Sequence, residues 1–352
     1  FNGKKLGVHK GGYDHFKFII SSSEFNGENS LVVGVSDPTD QSWQALGKQV
    51  EKPGGIFYTS VTGIWQTVWM EPLNEVYLES FQLQTEIEKP LLRLRPEINN
   101  SNENISIDVK AFFKGELVGE YQGKVKKELE IELSQKHLWS PETPNLYDLE
   151  ISILQDKKVV DRINSYFGLR SLKLAKDKDG YQRLFLNGKA VFHNGPLDQG
   201  YWPDGLYTPP TEEAMLYDLE VTKKLGFNML RKHVKIESRR FYYLCDKIGL
   251  MVWQDMPNGD RKIGPREDDI IRTKESAEQF EFELKRMIED RYNHPSIVMW
   301  VPFNEGWGQF DTERIANLVK QLDPTRFVNS VSGWADRKVG DVHDIHSYPQ
   351  PA

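Results

Sequence analysis

The chain has 352 residues, of which 38% are hydrophobic, and its formal net charge is −7 at pH 7. This length corresponds to two or three domains, because domains usually contain about 100–200 residues. The negative charge argues against a nucleic-acid partner, which would require a basic surface patch. Cys245 is the only cysteine, which excludes a disulfide framework and a cysteine-based metal site.

No run of 18 apolar residues occurs, so the sequence predicts no membrane-spanning helix. The chain opens at Phe1-Asn2-Gly3 without an initiator methionine, and Asn2-Gly3 is a hairpin signal. We therefore expect the natural protein to start before residue 1, in which case the lack of a leader does not report the location. A periplasmic or secreted location is favoured over a cytoplasmic one, and the location otherwise stays open.

Residues 1–168 contain β-type runs separated by turns. Residues 31–35 are predicted to form a strand, and Gly54-Gly55 marks a turn. From residue 72 onward about seven short alternating runs, such as residues 105–112, predict an immunoglobulin-like β-sandwich. The Lys- and Glu-rich residues 124–132 are typical of a solvated edge strand.

After Phe167-Gly168-Leu169-Arg170 the pattern changes to alternating strands and helices. Thr211 is a predicted helix N-cap, Gly226 ends that helix, and apolar stripes predict three further helices before residue 323. Repeated βα units predict a parallel sheet, and polar residues after each strand favour a barrel. The predicted strands are residues 190–194, 227–230, 250–253, 297–303, 327–331 and 342–345.

The uncharged residues 297–303 read as a strand buried on both faces, and Asn304-Glu305 follows it directly. A carboxylate at this end of a barrel strand lies where such folds carry their chemistry. Burial against Trp307 would raise the pKa of Glu305 and make it a general acid near neutral pH. The alternative is that Glu305 begins a solvated loop, because a two-residue motif is weak evidence.

Other polar residues follow the remaining predicted strands. The carboxyl ends of barrel strands form one ring, so we expect these side chains around a common pocket. Structural alternatives exist, since Asp198 could cap a turn, His233 could be a structural histidine and Asp255 could pair with an arginine. The set comprises Asp198, Arg231, His233, Asp255, Asn304, Glu305, Trp307, His346 and Tyr348.

Several separate motifs resemble, in the same order, those of glycoside hydrolase family 2, the group of β-galactosidases, β-glucuronidases and β-mannosidases. They are Gly54-Gly55-Ile56-Phe57-Tyr58, residues 62–69, residues 138–147, residues 166–170, residues 227–233 and residues 300–306. The resemblance implies a multidomain β and α/β protein. Residues 1–71 would be the C-terminal part of a jelly-roll sugar-binding domain, residues 72–168 an immunoglobulin-like β-sandwich, and residues 169–352 a (β/α)8 TIM barrel that is incomplete, ending after about strand six.

The resemblance also implies a retaining exo-β-glycosidase, with β-galactosidase-like specificity favoured. Glu305 would be the general acid/base, and Asn304 would hydrogen bond the sugar 2-hydroxyl. Arg231 and His233 would line the subsite that holds the cleaved sugar. Further substrate contacts are implied or suggested by position for Asp198, Asp255, Trp307, His346 and Tyr348, the last matching a tyrosine that lies beside the nucleophile.

Hydrolysis with retention needs two carboxylates about 5–5.5 Å apart. Glu283 and Glu313 lie on predicted helices that face away from the pocket. We therefore expect the nucleophile beyond residue 352 and expect the isolated chain to be inactive. No cofactor or metal site is predicted, a glycoside or oligosaccharide is the expected partner, and a homo-oligomer stays open. The alternatives are a non-catalytic carbohydrate-binding protein on the same fold, or a β-glucuronidase or β-mannosidase.

Overall fold

The computed structural model describes residues 1–100, 102 and 104–348. Residues 1–71 are mostly irregular, with a 3-10 turn at Ser22–Glu24 and two short parallel strands, β1 (Gln49–Val50) and β2 (Tyr58–Thr59). The strand predicted at residues 31–35 is wrong: no described segment pairs with it, and Val32 is 83% exposed. An unpaired strand leaves its backbone groups to water and has little to stabilise it. The described residues of this region form no β-sandwich, and its assignment to a jelly roll stays a prediction.

The immunoglobulin-like sandwich forms as predicted. Its strands are β3 (Leu78–Glu86), β4 (Leu91–Ile98), β5 (Ile105–Phe113), β6 (Glu116–Lys124), β7 (Leu129–Glu132), β8 (Tyr147–Gln155) and β9 (Lys158–Phe167). Two antiparallel sheets, β3-β4-β7 and β6-β5-β8-β9, face each other. Alternate residues of β5 are buried between them, which is why its apolar and polar residues alternate. The charged segment contributes β7, an edge strand, as expected.

A small antiparallel sheet connects the sandwich to the barrel. It consists of β10 (Leu172–Lys176), β11 (Gln182–Leu186) and β12 (Lys189–Ala190). The first barrel strand predicted at residues 190–194 is therefore wrong, because residues 189–190 pair backward with β11. Across the junction the Arg170 guanidinium donates to the carbonyl oxygens of Pro295 and Ile297 at 2.6 and 2.8 Å. These bonds fix the sandwich against the end of the barrel opposite to the strand carboxyl ends.

The barrel domain contains a curved parallel sheet. Its strands are β13 (Leu197–Asp198), β14 (Met229–Lys232), β15 (Met251–Asp255), β16 (Ile297–Val301), β17 (Phe303–Asn304), β18 (Phe327–Val328) and β19 (Val331–Ser332). The order is β13-β14-β15-β16-β18, and β17 pairs with β19 beyond it. The sixth strand, predicted at residues 342–345, is wrong. Asp341 bonds both the amide and the carbonyl of Val328, which closes that edge of β18.

Among the residues that the structure describes, four helices cover the outside of the sheet. They are α1 (Glu212–Lys224), α2 (Arg239–Ile248), α3 (Lys274–Arg291) and α4 (Thr312–Leu322). Thr211 caps α1 as predicted, accepting from the Ala214 amide at 3.1 Å. Phe241, Leu284 and Ile315 on the inner helix faces pack on the strands. In the described part of the chain, no helix combines the length and apolarity needed to cross a membrane.

Candidate active site

Glu305 lies at the carboxyl end of β17 in a strained turn. Its φ is +49° and that of Gly306 is +76°, so both residues occupy the left-handed region. A Cβ at Gly306 would lie 2.7 Å from atoms of Ile263, so only glycine fits there. The Glu305 amide donates to the Ser332 carbonyl at 2.9 Å, and Trp334 Nε1 donates to the Glu305 carbonyl at 3.1 Å. Non-glycine residues held in this way concentrate at functional sites.

The Glu305 side chain is buried, not part of a solvated loop. Its Oε1 accepts from Tyr348 OH at 2.8 Å and lies 2.7 Å from His346 Nδ1. Burial raises the pKa of Glu305, but the hydrogen bonds from His346 and Tyr348 lower it by more, so the pKa lies below the ordinary glutamate value. The predicted rise in pKa is therefore wrong for this state. Burial was the expected cause of a raised pKa. Its effect is outweighed by the hydrogen bonds from His346 and Tyr348, which lie on a loop about 40 residues later in the chain.

Arg231 connects several strand ends. From the end of β14 its guanidinium makes a bidentate contact with Asp255, at 3.0 and 2.8 Å, and donates to Asn304 Oδ1 at 2.9 Å. Burial raises the pKa of Asp255, but Arg231 and His233 lower it by more, so it stays ionised. Because Arg231 takes the carbonyl oxygen of Asn304, the amide nitrogen Nδ2 is the group that Asn304 can offer to a sugar hydroxyl.

His233 is held as a neutral acceptor. Its Nδ1 lies 2.8 Å from Asp255 Oδ2, and the ionised carboxylate must accept there, so Nδ1 carries the hydrogen. Burial lowers the pKa of His233 in spite of Asp255, which keeps the ring neutral. Nε2 is then an acceptor without a hydrogen-bond donor among the described residues. This arrangement suits a substrate hydroxyl donor.

Residues 1–71 contribute side chains beside Trp307 and Glu305. Trp307 stacks on Phe57 with ring centroids 5.7 Å apart, and Lys48 Nζ lies 4.9 Å from the Trp307 ring. Lys48 is only 6% exposed, and burial lowers its pKa while the nearby Glu305 opposes that shift. The loop that carries Lys48 passes close to the chain just after β14. A Cβ at Gly47 would lie 2.5 Å from the Val234 carbonyl oxygen, so glycine is needed for this close approach.

Asp198 lies near this group but belongs to a second network. Its carboxylate pairs with Lys232 Nζ at 2.9 Å, and Lys232 also contacts Glu237 at 3.1 Å. Lys235 contacts the same Glu237 oxygen at 2.8 Å. Burial raises the pKa of Glu237, but Lys232 and Lys235 lower it by more. Asp198 Oδ1 also accepts from the Gly200 amide at 2.8 Å, so Asp198 caps a turn, as the structural alternative held, in addition to pairing with a buried lysine.

The structure brings most of the predicted residues together. Arg231, Asp255, Asn304 and Glu305 lie within a continuous set of contacts. It also includes His233, Trp307, His346 and Tyr348. Tyr348 donates to Glu305, whereas the resemblance led us to expect it beside the nucleophile.

Sequence reasoning missed five residues near the site. Ser332 directly follows the strand predicted at residues 327–331 but was not singled out, and Asp344 lay inside the strand predicted at residues 342–345. Lys48, Lys262 and Trp334 do not follow a predicted strand directly. Only the glycine before Lys48 hinted at a close approach. Within residues 1–100, 102 and 104–348, no three His, Cys, Asp or Glu side chains form a group that could hold a metal ion.

The family model described as glycosyl hydrolases family 2, TIM barrel domain, matches residues 181–349, and that described as glycosyl hydrolases family 2 matches residues 76–170. The chain belongs to glycoside hydrolase family 2. Its family-2 barrel and sandwich domains are those described above, and the resemblance drawn from the motifs is confirmed.

Two similar members of family 2 carry different names. A putative beta-glucuronidase of Formosa agariphila is 28% identical over 342 residues, covering 94% of this chain and 31% of its own length. A beta-galactosidase of Lactobacillus delbrueckii subsp. bulgaricus is 24% identical over 363 residues, covering 98% of this chain and 34% of its own length. The chain thus spans about a third of the length of these relatives.

The structure of beta-D-glucuronidase from Dictyoglomus thermophilum shares the fold. Its TM-score is 0.62 at 22% identity, with 72% of this chain and 44% of that chain covered.

Proposed function

We propose that this protein hydrolyses terminal β-linked sugars with retention, using Glu305 as general acid/base. The observation that carries the proposal is the buried Glu305 at a barrel strand end, beside Asn304 and the Arg231–Asp255 pair. The Asn304 amide would donate to the sugar 2-hydroxyl, where contacts strengthen as positive charge develops on the ring. His233 Nε2 would accept from a second hydroxyl. A second carboxylate, the nucleophile, would attack the anomeric carbon.

Glu305→Gln tests this assignment in the full-length protein. The amide cannot donate a proton to the leaving oxygen, so kcat/KM for an alkyl β-glycoside should fall about 10³-fold. Glu313→Gln is the matched control, since Glu313 is exposed on α4, and its kcat/KM should equal that of the natural protein. Hydrolysis by Glu305→Gln at the natural rate would refute the role. Sugar binding without hydrolysis of any glycoside by the natural protein would favour the non-catalytic alternative.

A β-galactoside is the first candidate substrate, supported by relatives named beta-galactosidase. A β-glucuronide is the second candidate substrate, and it is supported by two lysines near Glu305. Lys48 forms no ion pair within the described part of the chain, and Lys262 lies 5.8 Å from the same Trp307 ring. Both ammonium groups act on Glu305. Neither lysine is in ion-pair contact with a carboxylate among the described residues, and cations placed in this way beside the proposed sugar site suit an anionic sugar.

Nitrophenyl β-galactoside and β-glucuronide should be compared on the natural protein and on Lys48→Met. If Lys48 binds a sugar carboxylate, the variant should lose about tenfold or more in kcat/KM for the glucuronide and little for the galactoside. Lys274→Met, at an exposed helix position, is the control. Equal losses on both substrates would remove the support for a glucuronide.

A further inference from the structure

A chain of hydrogen bonds runs from Glu305 away from the pocket to a second carboxylate. His346 Nδ1 lies 2.7 Å from Glu305 Oε1, and His346 Nε2 lies 2.8 Å from Ser332 Oγ. Ser332 Oγ in turn hydrogen bonds Asp344 Oδ2, which also accepts from Asn329 Nδ2 at 2.9 Å. We call Asp344, Ser332 and His346 the Asp344 chain. Neither the strand pattern nor the family motifs indicated it.

The order of donors and acceptors in the Asp344 chain fixes one hydrogen on His346. A carboxylate only accepts, so the Ser332 hydroxyl gives its one hydrogen to Asp344. Ser332 Oγ can then only accept from the ring, which places a hydrogen on His346 Nε2. Arg231 Nη1 is 3.4 Å from the same nitrogen, too far to compete with the 2.8 Å contact.

The contact between His346 and Glu305 consequently requires a proton of its own. With Nε2 protonated, a neutral ring would point the lone pair of Nδ1 at a carboxylate oxygen 2.7 Å away, which is repulsive. We propose that the Asp344 chain makes His346 share one proton with Glu305 and so sets the protonation state in which Glu305 acts. His346 is then a positioning residue for the acid/base, and the inference rests on the proposed function.

The proton balance of the pair is simple. The shared proton is either on Glu305, beside a neutral ring, or on Nδ1, beside a carboxylate; the pair is neutral in both cases. Giving a proton to the leaving oxygen leaves the pair with one negative charge, and the water that attacks the glycosyl-enzyme returns a proton. Two coupled groups lose their protons in two steps, so the pair keeps its second proton to a higher pH than Glu305 alone would.

The other charges around the pair are the same in every variant proposed below. Tyr348, Lys48 and Lys262 act on Glu305, and Arg231 with Asp255 and His233 lies on the far side of His346. The lowered pKa of Glu305 has His346 hydrogen bonding among its causes.

The kinetic experiment measures kcat/KM against pH in the full-length protein for His346→Gln, Ser332→Ala and Asp344→Asn. Each variant should lose the basic limb about one pH unit earlier, and at pH 7 should hydrolyse an alkyl β-glycoside about tenfold more slowly. A dinitrophenyl glycoside needs little acid assistance and should change less than about threefold. Ser332→Thr keeps the hydroxyl and should restore the natural profile.

Ser330→Ala is the matched control, because the buried Ser330 hydroxyl donates only to the Val339 carbonyl at 2.6 Å. Profiles of Ser332→Ala and Asp344→Asn that coincide with that of Ser330→Ala would overturn the inference and leave the proposed function standing.

A second measurement does not depend on turnover. ¹⁵N spectra of the full-length protein labelled only at histidine, with the His346 signal assigned by its loss in His346→Gln, report which nitrogen of the His346 ring carries hydrogen. A protonated Nε2 is expected in the natural protein and its loss in Ser332→Ala. A neutral ring with hydrogen on Nδ1 alone in the natural protein would overturn the inference. If the natural protein cleaves no glycoside, the proposed function fails, and these spectra still decide the protonation of His346.

Discussion

Two buried aspartates of the barrel domain, each bonded to Nδ1 of a histidine, have different surroundings. Asp255 contacts His233 at 2.8 Å where β15 ends, and Asp246 on α2 contacts His294 at 2.6 Å at the opposite end of the sheet. Asp246 also accepts from Tyr166 OH of the sandwich at 2.7 Å and from the Ser296 amide at 2.8 Å. The same residue pair thus forms part of a candidate site at one end and a domain junction at the other.

The difference lies in what remains available for a ligand. Around Asp246 the donors come from the sandwich, the histidine and the backbone, so the described contacts are those of a closed structural joint. Around Asp255 the bound groups keep atoms free: Nε2 of His233 and, through Arg231, Nδ2 of Asn304. An Asp–His pair therefore indicates function through its position and its unused atoms, not through its own geometry.

Of the changes at the two aspartates, Asp255→Asn should give the larger effect on catalysis. The amide loses the charge that holds Arg231 and the acceptor that orients His233, and misplaced groups of this kind cost about 10² in rate. We expect kcat/KM of the full-length protein to fall by that factor on its best glycoside. Asp148→Asn, at an exposed position of β8, serves as control and should match the natural protein. A threefold effect or less at Asp255 would mean that the two pairs are both structural.

Asp246→Asn should act on stability and leave catalysis intact. An amide nitrogen would face the Tyr166 hydroxyl or the His294 ring, so at least one buried group loses its partner. The free energy of unfolding should fall by about 2–3 kcal/mol in urea denaturation, with kcat per folded molecule unchanged. A selective loss of kcat in this variant would end the distinction between the two barrel ends.

A third buried carboxyl group, Glu283 on α3, lacks an ion-pair partner within the described residues. Burial raises the pKa of Glu283 to about 7. In the unfolded chain a glutamate titrates near 4.3, so the unfolded state releases its proton first. Between these values the folded state binds more protons, and stability should therefore fall as pH rises.

Glu283→Gln should remove this dependence and be more stable than the natural protein by about 2 kcal/mol at pH 8, with little difference at pH 4. The measurement is urea denaturation at both pH values. A gain of the same size at pH 4 would show that the amide stabilises for another reason.

The smallest effect is expected on the outer surface, away from both aspartates. Thr211→Ala removes the N-cap of α1, and helix caps of this kind contribute about 1 kcal/mol to the free energy of unfolding. Thr211→Ser should retain it in the same thermal or urea assay. The difference in free energy of unfolding between Thr211→Ala and Thr211→Ser measures one ordinary polar contact. The loss of stability in Asp246→Asn can be compared with that difference.

The sequence predicted those parts of the fold that local patterns encode. Alternation located β5, the capping threonine located α1, and the uncharged residues 297–303 located the strands before Glu305. Residues 31–35 and 342–345 have equally good strand patterns but form no strand, because pairing depends on a neighbour that lies elsewhere in the chain. Residue type gives the propensity for a strand, and the partner decides whether it forms.

The candidate site residues fall into the same two groups, those that a local pattern predicts and those that a distant part of the chain brings in. Residues directly after strands, such as Arg231, Asp255 and Glu305, were predicted, since a barrel fixes where strand ends meet. Lys48 and Asp344 were not, because loops bring them there and their spacing carries no period. The direction of the Glu305 pKa shift was missed for that reason, since its sign depends on donors from the loop that carries His346 and Tyr348.

The stacking of Phe57 and Lys48 on Trp307 has a consequence for exchanging parts between relatives. The barrel does not supply all the side chains around Trp307, because Phe57 and Lys48 belong to a segment more than 200 residues earlier in the chain. A chimera that joins this barrel to the amino-terminal segment of another protein would therefore have different side chains, and a different charge, beside Trp307 and Glu305. If the proposed function holds, changes in residues 47–57 would alter the substrate preference of such a protein while the barrel sequence stays constant.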